Sequence, residues 1–386
     1  MNEHKNHIDI FVFVSVIALL VFSLAAVYSA SSTFSFAKQN DFSYFFRSHT
    51  IKVLIAFAAL ILGMNINYQW YKKLTKKVII VSVILLVITF IFGTVAKGAN
   101  RWLSFGILSF QPSEIGKFAL IFHLAFLLEQ KANMLDNFSK GFLPLLIWTG
   151  VVAGLVMMQP SFSTGAMICL ISLTIFFVGN VRIKHLILVV VSIIPILALY
   201  AVSAQYRLNR ILSYFGQSDS TNIMNYQVTQ AIIGFGNGAI FGVGPGQSRQ
   251  RDFFLPESYG DFIFAIIGEE YGFIGATIIL AIFVLIMIRG IKIAKRAPDL
   301  FGRNLAVGLT SAITLYALIN TGVASGVFPT TGLPLPFLSY GGTSMLLSAF
   351  AIGVILNISK HTDIIVREQG FNEIENNEPI VGQVYK

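Results

Sequence analysis

Apolar residues in this chain do not form one stripe of a helix; they run on unbroken for the length of a membrane crossing. Such runs lie near residues 8–30, 49–66, 78–95, 113–128, 142–158, 162–179 and 185–203, then near 261–288, 304–324 and 343–358. A helix needs about 20 apolar residues to cross the hydrocarbon of a bilayer, and a helix that is apolar all round belongs in lipid or deep in a core. The pattern therefore predicts an all-α integral membrane protein of ten transmembrane helices. Residues 1–360 are expected to form one membrane domain. Residues 361–386, with Glu368, Glu373, Glu375 and Glu378 among polar neighbours, are expected to form a flexible tail. The first run is too long for a signal-peptide core and lacks a small-x-small cleavage site, so it is expected to remain as a helix.

The intervening stretches are uneven. Most are short, but 204–260 forms a long loop between helices 7 and 8, and 96–113 and 325–343 are rich in glycine and proline. A structureless loop of that length inside a compact protein usually carries function.

Composition sharpens the membrane reading. Of the 386 residues, 55% are hydrophobic and 12% charged, about half the charged fraction of a soluble domain. The net charge of +9 carries no nucleic-acid signature, because the basic residues sit between the apolar runs without a motif or a basic face. They instead report topology. Lys5, Lys72, Lys73, Lys76, Lys77, Lys131, Lys140, Arg182, Lys184, Arg289, Lys292, Lys295, Arg296, Arg303, Lys360, Arg367 and Lys386 all fall on one side of a ten-span arrangement. Both termini are then cytoplasmic, and 96–113, 204–260 and 325–343 face outward. Lys117 is read as the one basic residue within a span. The single cysteine, Cys169, lies in an apolar run and permits no intrachain disulfide.

Ionisable groups inside spans are costly and mark sites by default. The fourth span opens with Gln111-Pro112-Ser113-Glu114-Ile115-Gly116-Lys117, in which proline and serine are helix-start residues. Glu114 and Lys117 are either a self-neutralising pair one turn apart or part of a site. Span six opens similarly, with Gln159-Pro160-Ser161-Phe162. Four helix N-termini (spans four, six, eight and ten) point to the same face, where free N–H groups favour anions. Arg101 and Lys117 beside them suit a phosphate or pyrophosphate. The most concentrated stretch runs from Leu255 to Gly272 and contains Glu257, Asp261, Glu269 and Glu270. Asp261, at the entrance to span eight, is either a helix cap or a poised base; at least one of Glu269 and Glu270 must face protein or water. The glycines at 234, 236, 238, 242, 244 and 246 match neither a dinucleotide fingerprint nor a phosphate-binding P-loop. Zinc and triad motifs are absent from the sequence.

At these residues the chain resembles the SEDS family (shape, elongation, division and sporulation; FtsW, RodA and SpoVE). The matching stretches are Lys97-Gly98-Ala99-Asn100-Arg101-Trp102-Leu103 leading into Gln111 to Lys117, Tyr226-Gln227 with the glycine run to Gly246-Gln247-Ser248, Leu255 to Glu270, and Phe328 to Ser344. The loop around Pro256 to Tyr271 resembles the FtsW branch more than the RodA branch. One departure is Gln159-Pro160-Ser161-Phe162-Ser163-Thr164, where the family usually carries an aspartate at the position of Ser161; a serine there can still cap the helix.

The resemblance implies a peptidoglycan glycosyltransferase of the bacterial cytoplasmic membrane. It would polymerise lipid II at the outer face, in cell division or cell-shape maintenance, with a class B penicillin-binding protein and other divisome or elongasome proteins as partners. The family's essential acid falls on Asp261, expected to be the general base. Arg101, Glu114 and Lys117 fall on its conserved charged positions, with Arg249 and Arg251 as further pyrophosphate contacts. Glu257, Glu269, Glu270, Gln227 and Ser339 are expected in supporting roles. A divalent cation, magnesium or manganese, could bridge the pyrophosphate, although the sequence contains no dedicated cage. The lipid tail is expected in an apolar groove between helices. A lipid II flippase and a non-catalytic scaffold for the transpeptidase are the alternatives; the first would want charged spans facing inward, the second no need of Asp261 or Lys117.

Overall fold

The computed structural model describes residues 7–96, 99–105, 108–203, 208, 214, 223–256 and 258–376. It is mostly helical. The helices are α1 (Ile10–Gln39), α2 (Tyr44–Asn65), α3 (Tyr68–Phe92), α4 (Pro112–Gln130), α5 (Leu143–Met158), α6 (Phe162–Val178) and α7 (Ile183–Val202). They continue with α8 (Ile223–Gly238), α9 (Ile263–Lys295), α10 (Leu300–Ala324) and α11 (Gly342–Asn376). Each of the ten apolar runs falls on one of these helices. Among the described residues, seven helical segments are long and apolar enough to cross a membrane, and α6 and the first part of α7 are shorter apolar helices.

Two expectations are corrected. The chain is not all-α: β1 (Thr94–Ala96), β2 (Ala99–Phe105) and β3 (Leu108–Phe110) form a three-stranded antiparallel sheet before α4, with Val95 opposite Asn100 and Leu103 opposite Phe110. The pairing satisfies backbone groups that a glycine-containing loop would leave to water. Nor is 204–260 a continuous loop, because α8 lies within it and packs on α9.

At one end of the bundle, short polar side chains tie the helix starts. Asp9 caps α1 by accepting from Val12 N at 3.2 Å and pairs with Arg289 of α9 at 2.6 Å. Asp299 caps α10, accepting from Gly302 N at 2.6 Å, and also takes the Tyr68 hydroxyl and Gln69 amide of α3 at 2.5 Å each. Asn357 of α11 accepts from Tyr68 N at 2.9 Å. Such caps satisfy N–H groups that have no partner within the helix.

Helix α9 is broken. Gly272 takes φ 66° and ψ −165°, a conformation a side chain would strain. Around the break, Val243 N and Gly244 N donate to the carbonyls of Glu269 and Glu270 at 3.0 Å each, and Phe273 N donates to Ala239 O at 2.9 Å. The segment after α8 thus completes a ladder that α9 interrupts. Below the break, α1 and α9 enclose an apolar cavity of about 270 Å³, lined by Leu19, Phe22, Tyr271 and Ile279 among others.

Candidate active site

Asp261 lies at the opposite end of the bundle from Asp299, in the turn before α9. The cap of that helix is Phe262, without a side-chain cap bond, so Asp261 stands one residue outside the cap position. The turn is gripped from two sides. Asn320 Nδ2 of α10 donates to the Asp261 carbonyl and to the Leu333 carbonyl, each at 2.7 Å. Ser339 Oγ donates to Gly260 O at 2.8 Å while accepting from Leu335 N at 2.7 Å. Tyr340 N then donates to Tyr259 O at 3.0 Å. The proline-rich 328–340 segment is thereby sewn along the 259–261 turn. Gly332 (φ +69°) passes beside the carboxylate: a Cβ built there would lie 3.5 Å from Asp261 Oδ2. Any larger residue would be both strained and pushed toward the carboxylate. Asp261 itself is half-buried.

One helical turn along α10 from Asn320 is Tyr316, and Lys117 Nζ sits 3.8 Å from its ring centroid. Lys117 is also 2.8 Å from Glu114 Oε2, with both side chains under 5% exposed. Four residues of helix rise about 6 Å, so this buried pair lies roughly one turn deeper than Asp261. Of the two readings of Glu114 and Lys117, the structure shows the pair one turn apart. Helix α4 begins at Pro112 with Gln111 as its cap, so Ser113 lies inside the first turn rather than at the cap. Gln111 N donates to Thr343 Oγ1 at 3.2 Å, which brings the N-termini of α4 and α11 together. Ser161 precedes α6 but makes no cap bond; its hydroxyl donates to Thr164 Oγ1 at 3.0 Å.

The other acidic residues hold the scaffold. Glu269 accepts from the Ser248 hydroxyl, from Gln250 N at 3.1 Å and from Asn237 Nδ2 at 3.1 Å. Glu270 accepts from the Ser29 hydroxyl of α1. Both are buried. Arg251 donates to Ser29 O at 3.3 Å and lies 3.7 Å from Asp252, whereas Arg249 is exposed. Gln227 is half-buried on α8. The Arg101 side chain and Glu257 lie outside the described residues.

Two residues at the site escaped the sequence reading. Asn320 is one. The other is Lys52, which lies inside α2 rather than in an external loop, so Lys117 is not the lone basic residue within a span. Its Nζ stands 3.4 Å from the Tyr340 ring centroid, and its stem packs against Gly342 at the start of α11. The Tyr340 hydroxyl donates to Ser48 Oγ at 3.0 Å, and Phe34, Phe45 and Tyr259 complete an aromatic cluster around it. A lysine at the start of an apolar run reads as a loop residue; only the contact with Tyr340, nearly 290 residues away, brings it to the site.

The family model described as cell cycle protein, FtsW/RodA/SpoVE, matches residues 10–364. The chain belongs to this family. Among curated proteins, this FtsW/RodA/SpoVE member is 35% identical over 353 residues to the probable peptidoglycan glycosyltransferase FtsW of Geobacter metallireducens, covering 91% of this chain and 94% of that one. It is 37% identical over 367 residues to stage V sporulation protein E of Bacillus subtilis, covering 94% of this chain and all of the relative. Its fold matches a chain of a peptidoglycan synthase complex with a TM-score of 0.76, at 22% identity over 92% of this chain and 98% of that chain. It likewise matches the rod shape determining protein RodA of Thermus thermophilus with a TM-score of 0.66, at 22% identity over 92% and 97%. The FtsW/RodA/SpoVE member is a multi-pass membrane protein, and its Phe328–Ser344 stretch lies along the turn that carries Asp261.

Proposed function

We propose that this protein is a peptidoglycan glycosyltransferase that polymerises lipid II, with Asp261 as the general base. The observation that carries the reading is the placement of Asp261: a half-buried carboxylate whose turn is fixed by Asn320 and Ser339, with a glycine alongside it and a buried lysine about one turn below. The FtsW and SpoVE relatives support the substrate class and leave both division and sporulation branches represented.

In the proposed reaction the 4-hydroxyl of the acceptor sugar attacks the anomeric carbon of the donor. Asp261 takes the hydroxyl proton as the new C–O bond forms. The bond from the anomeric carbon to the pyrophosphate breaks, and the pair of electrons leaves with undecaprenyl pyrophosphate. A positioned base of this kind contributes about 10²–10⁴-fold in rate. Lys117, Arg101 and Lys52 are the cations proposed to stabilise the departing charge, aided by the N-termini of α4 and α11. The described donors offer Asp261 as a carboxylate at this end, and no group of three or more His, Cys, Asp or Glu occurs among the described residues. Magnesium is commonly held by one or two carboxylates together with substrate phosphates rather than by a protein-built cage; Asp261 is the carboxylate that would contribute, and the steps above use this chain's own residues. The cavity between α1 and α9 is apolar and suits a segment of polyprenyl tail.

The ten-span arrangement with both termini cytoplasmic is part of the same proposal, as are the bacterial cytoplasmic membrane and a class B penicillin-binding protein partner. It puts the Asp261 end outside, where an outward substrate is available. The test is polymerisation of defined lipid II by the purified protein, alone and with its transpeptidase. Glycan strands lost in Asp261→Asn are expected. Strands of wild-type length from Asp261→Asn would refute the base assignment, and transport of lipid II without polymerisation would favour the flippase alternative.

A further inference from the structure

Asn320 sits in α10, 2% exposed, far in sequence from every motif that drew attention to the site. Its two amide hydrogens are both committed: one to the carbonyl of Asp261, the other to the carbonyl of Leu333. Its own Oδ1 is buried with no hydrogen-bond partner among the described residues. A buried acceptor without a donor costs stability, and such groups persist in native structures where something other than stability holds them. Both acceptors being carbonyls, the amide orientation is not interchangeable.

The second observation is what those carbonyls belong to. Asp261 is the carboxylate under the proposed mechanism, and Leu333 follows Gly332, on which an added Cβ would lie 3.5 Å from Asp261 Oδ2. One side chain thus pins the two backbone segments that bound the Asp261 side chain. Ser339 pins the same pair a residue earlier, at Gly260, but is itself carried on the 328–340 segment. Of these two residues only Asn320 comes from a regular helix, and that helix also carries Tyr316 over Lys117. It therefore references the base and the buried cation to one rigid element.

We propose that Asn320 is a positioning residue for the glycosyl transfer: it sets the distance between the Asp261 carboxylate and the bound acceptor hydroxyl by fixing the Asp261 and Leu333 carbonyls to α10. The proposal rests on the assignment of Asp261 as the base. A displacement of about 1 Å at a reacting group can cost on the order of 10²-fold, so the effect belongs in kcat rather than in substrate affinity.

The experiment uses full-length protein in its complex with the transpeptidase and defined lipid II as the probe. Asn320→Leu keeps the size, removes both donors and removes the orphaned acceptor. It is expected to retain insertion and thermal stability while kcat falls about tenfold to a hundredfold and KM changes less than about threefold. Asn320→Asp, equal in size but without the donors, decides the question if Asn320→Leu does not fold, and is expected to lose kcat in the same way. Asn320→Gln, which keeps the amide, is expected to recover part of the rate. Combined with Asp261→Asn, Asn320→Leu should add nothing further. Wild-type kcat per folded molecule in Asn320→Leu or Asn320→Asp, with Asp261→Asn inactive, would overturn the positioning role alone. Full polymerisation by Asp261→Asn would remove the base assignment first, and the proposal for Asn320 with it.

Discussion

Asp261 and Asp299 each precede a long helix, and the protein treats them in opposite ways. Asp299 is the cap of α10, and its carboxylate oxygens take three donors: Gly302 N, the Tyr68 hydroxyl and the Gln69 amide. Its charge is consumed in fixing where α3 and α10 meet. The turn that carries Asp261 is gripped through its backbone: Asn320 holds the Asp261 carbonyl and Ser339 the carbonyl before it. A carboxylate used as a cap cannot also accept a substrate proton without breaking the cap. Fixing a residue by its main chain sets its location independently of its protonation. Asp299 thus has a structural use, and Asp261 is the aspartate to which the proposal assigns the chemistry.

The largest expected effect tests that separation directly. Asp261→Asn should lower polymerisation by about 10²–10⁴-fold with little change in unfolding temperature. Asp299→Asn should do the reverse, costing about 1–3 kcal/mol of stability while activity per folded molecule is retained. Glycan length and thermal unfolding measured on both proteins check it, and parallel losses in both would erase the distinction.

A smaller effect is expected from the buried pair. Lys117→Ala alone leaves Glu114 buried without its partner, at about 3–5 kcal/mol, and so confounds folding with function. The double variant Glu114→Gln with Lys117→Met removes both charges and should insert with near-normal stability. Its polymerisation should still fall about tenfold to a hundredfold, the scale of one charge-assisted contact. Normal rates in the double variant would leave the pair structural, like Asp299.

The smallest effect concerns Lys52. Lys52→Gln removes a cation at the aromatic cluster and a cation–π contact worth about 0.5–2 kcal/mol. KM for lipid II should rise about threefold to tenfold and kcat less, as read by steady-state polymerisation. An unchanged KM would assign Lys52 to packing against Tyr340.

What the sequence allowed to be read follows from the physics of each feature. The helices at the ten apolar runs were legible because lipid demands long uninterrupted runs, and so was the place of Asp261 just before α9, where the apolar run begins. Helix α8 was not: Asn225, Gln227, Thr229, Gln230 and three glycines make Ile223–Gly238 resemble a loop, and its packing on α9 supplies what its propensity lacks. The sheet before α4 was missed because strands of three to seven residues carry little period. Glu269 and Glu270 could be seen to need partners, but not that those would be Ser248 and Ser29. Asn320 looked like an ordinary polar residue near a helix end, since its partners lie 59 residues before it and 13 after it in the chain.

The break at Gly272 has a mechanical meaning. The first part of α9, from Ile263 to Tyr271, bonds through Glu269 and Glu270 to the segment after α8, while the part from Phe273 onward continues as an apolar rod to Lys295. Phe273 N and Ile274 N in turn donate to Ala239 O and Ile240 O, so the one segment 239–244 holds both parts across the break. The break is therefore splinted rather than free: the Asp261 end is joined to the lower rod through residues 239–244 as well as through Gly272.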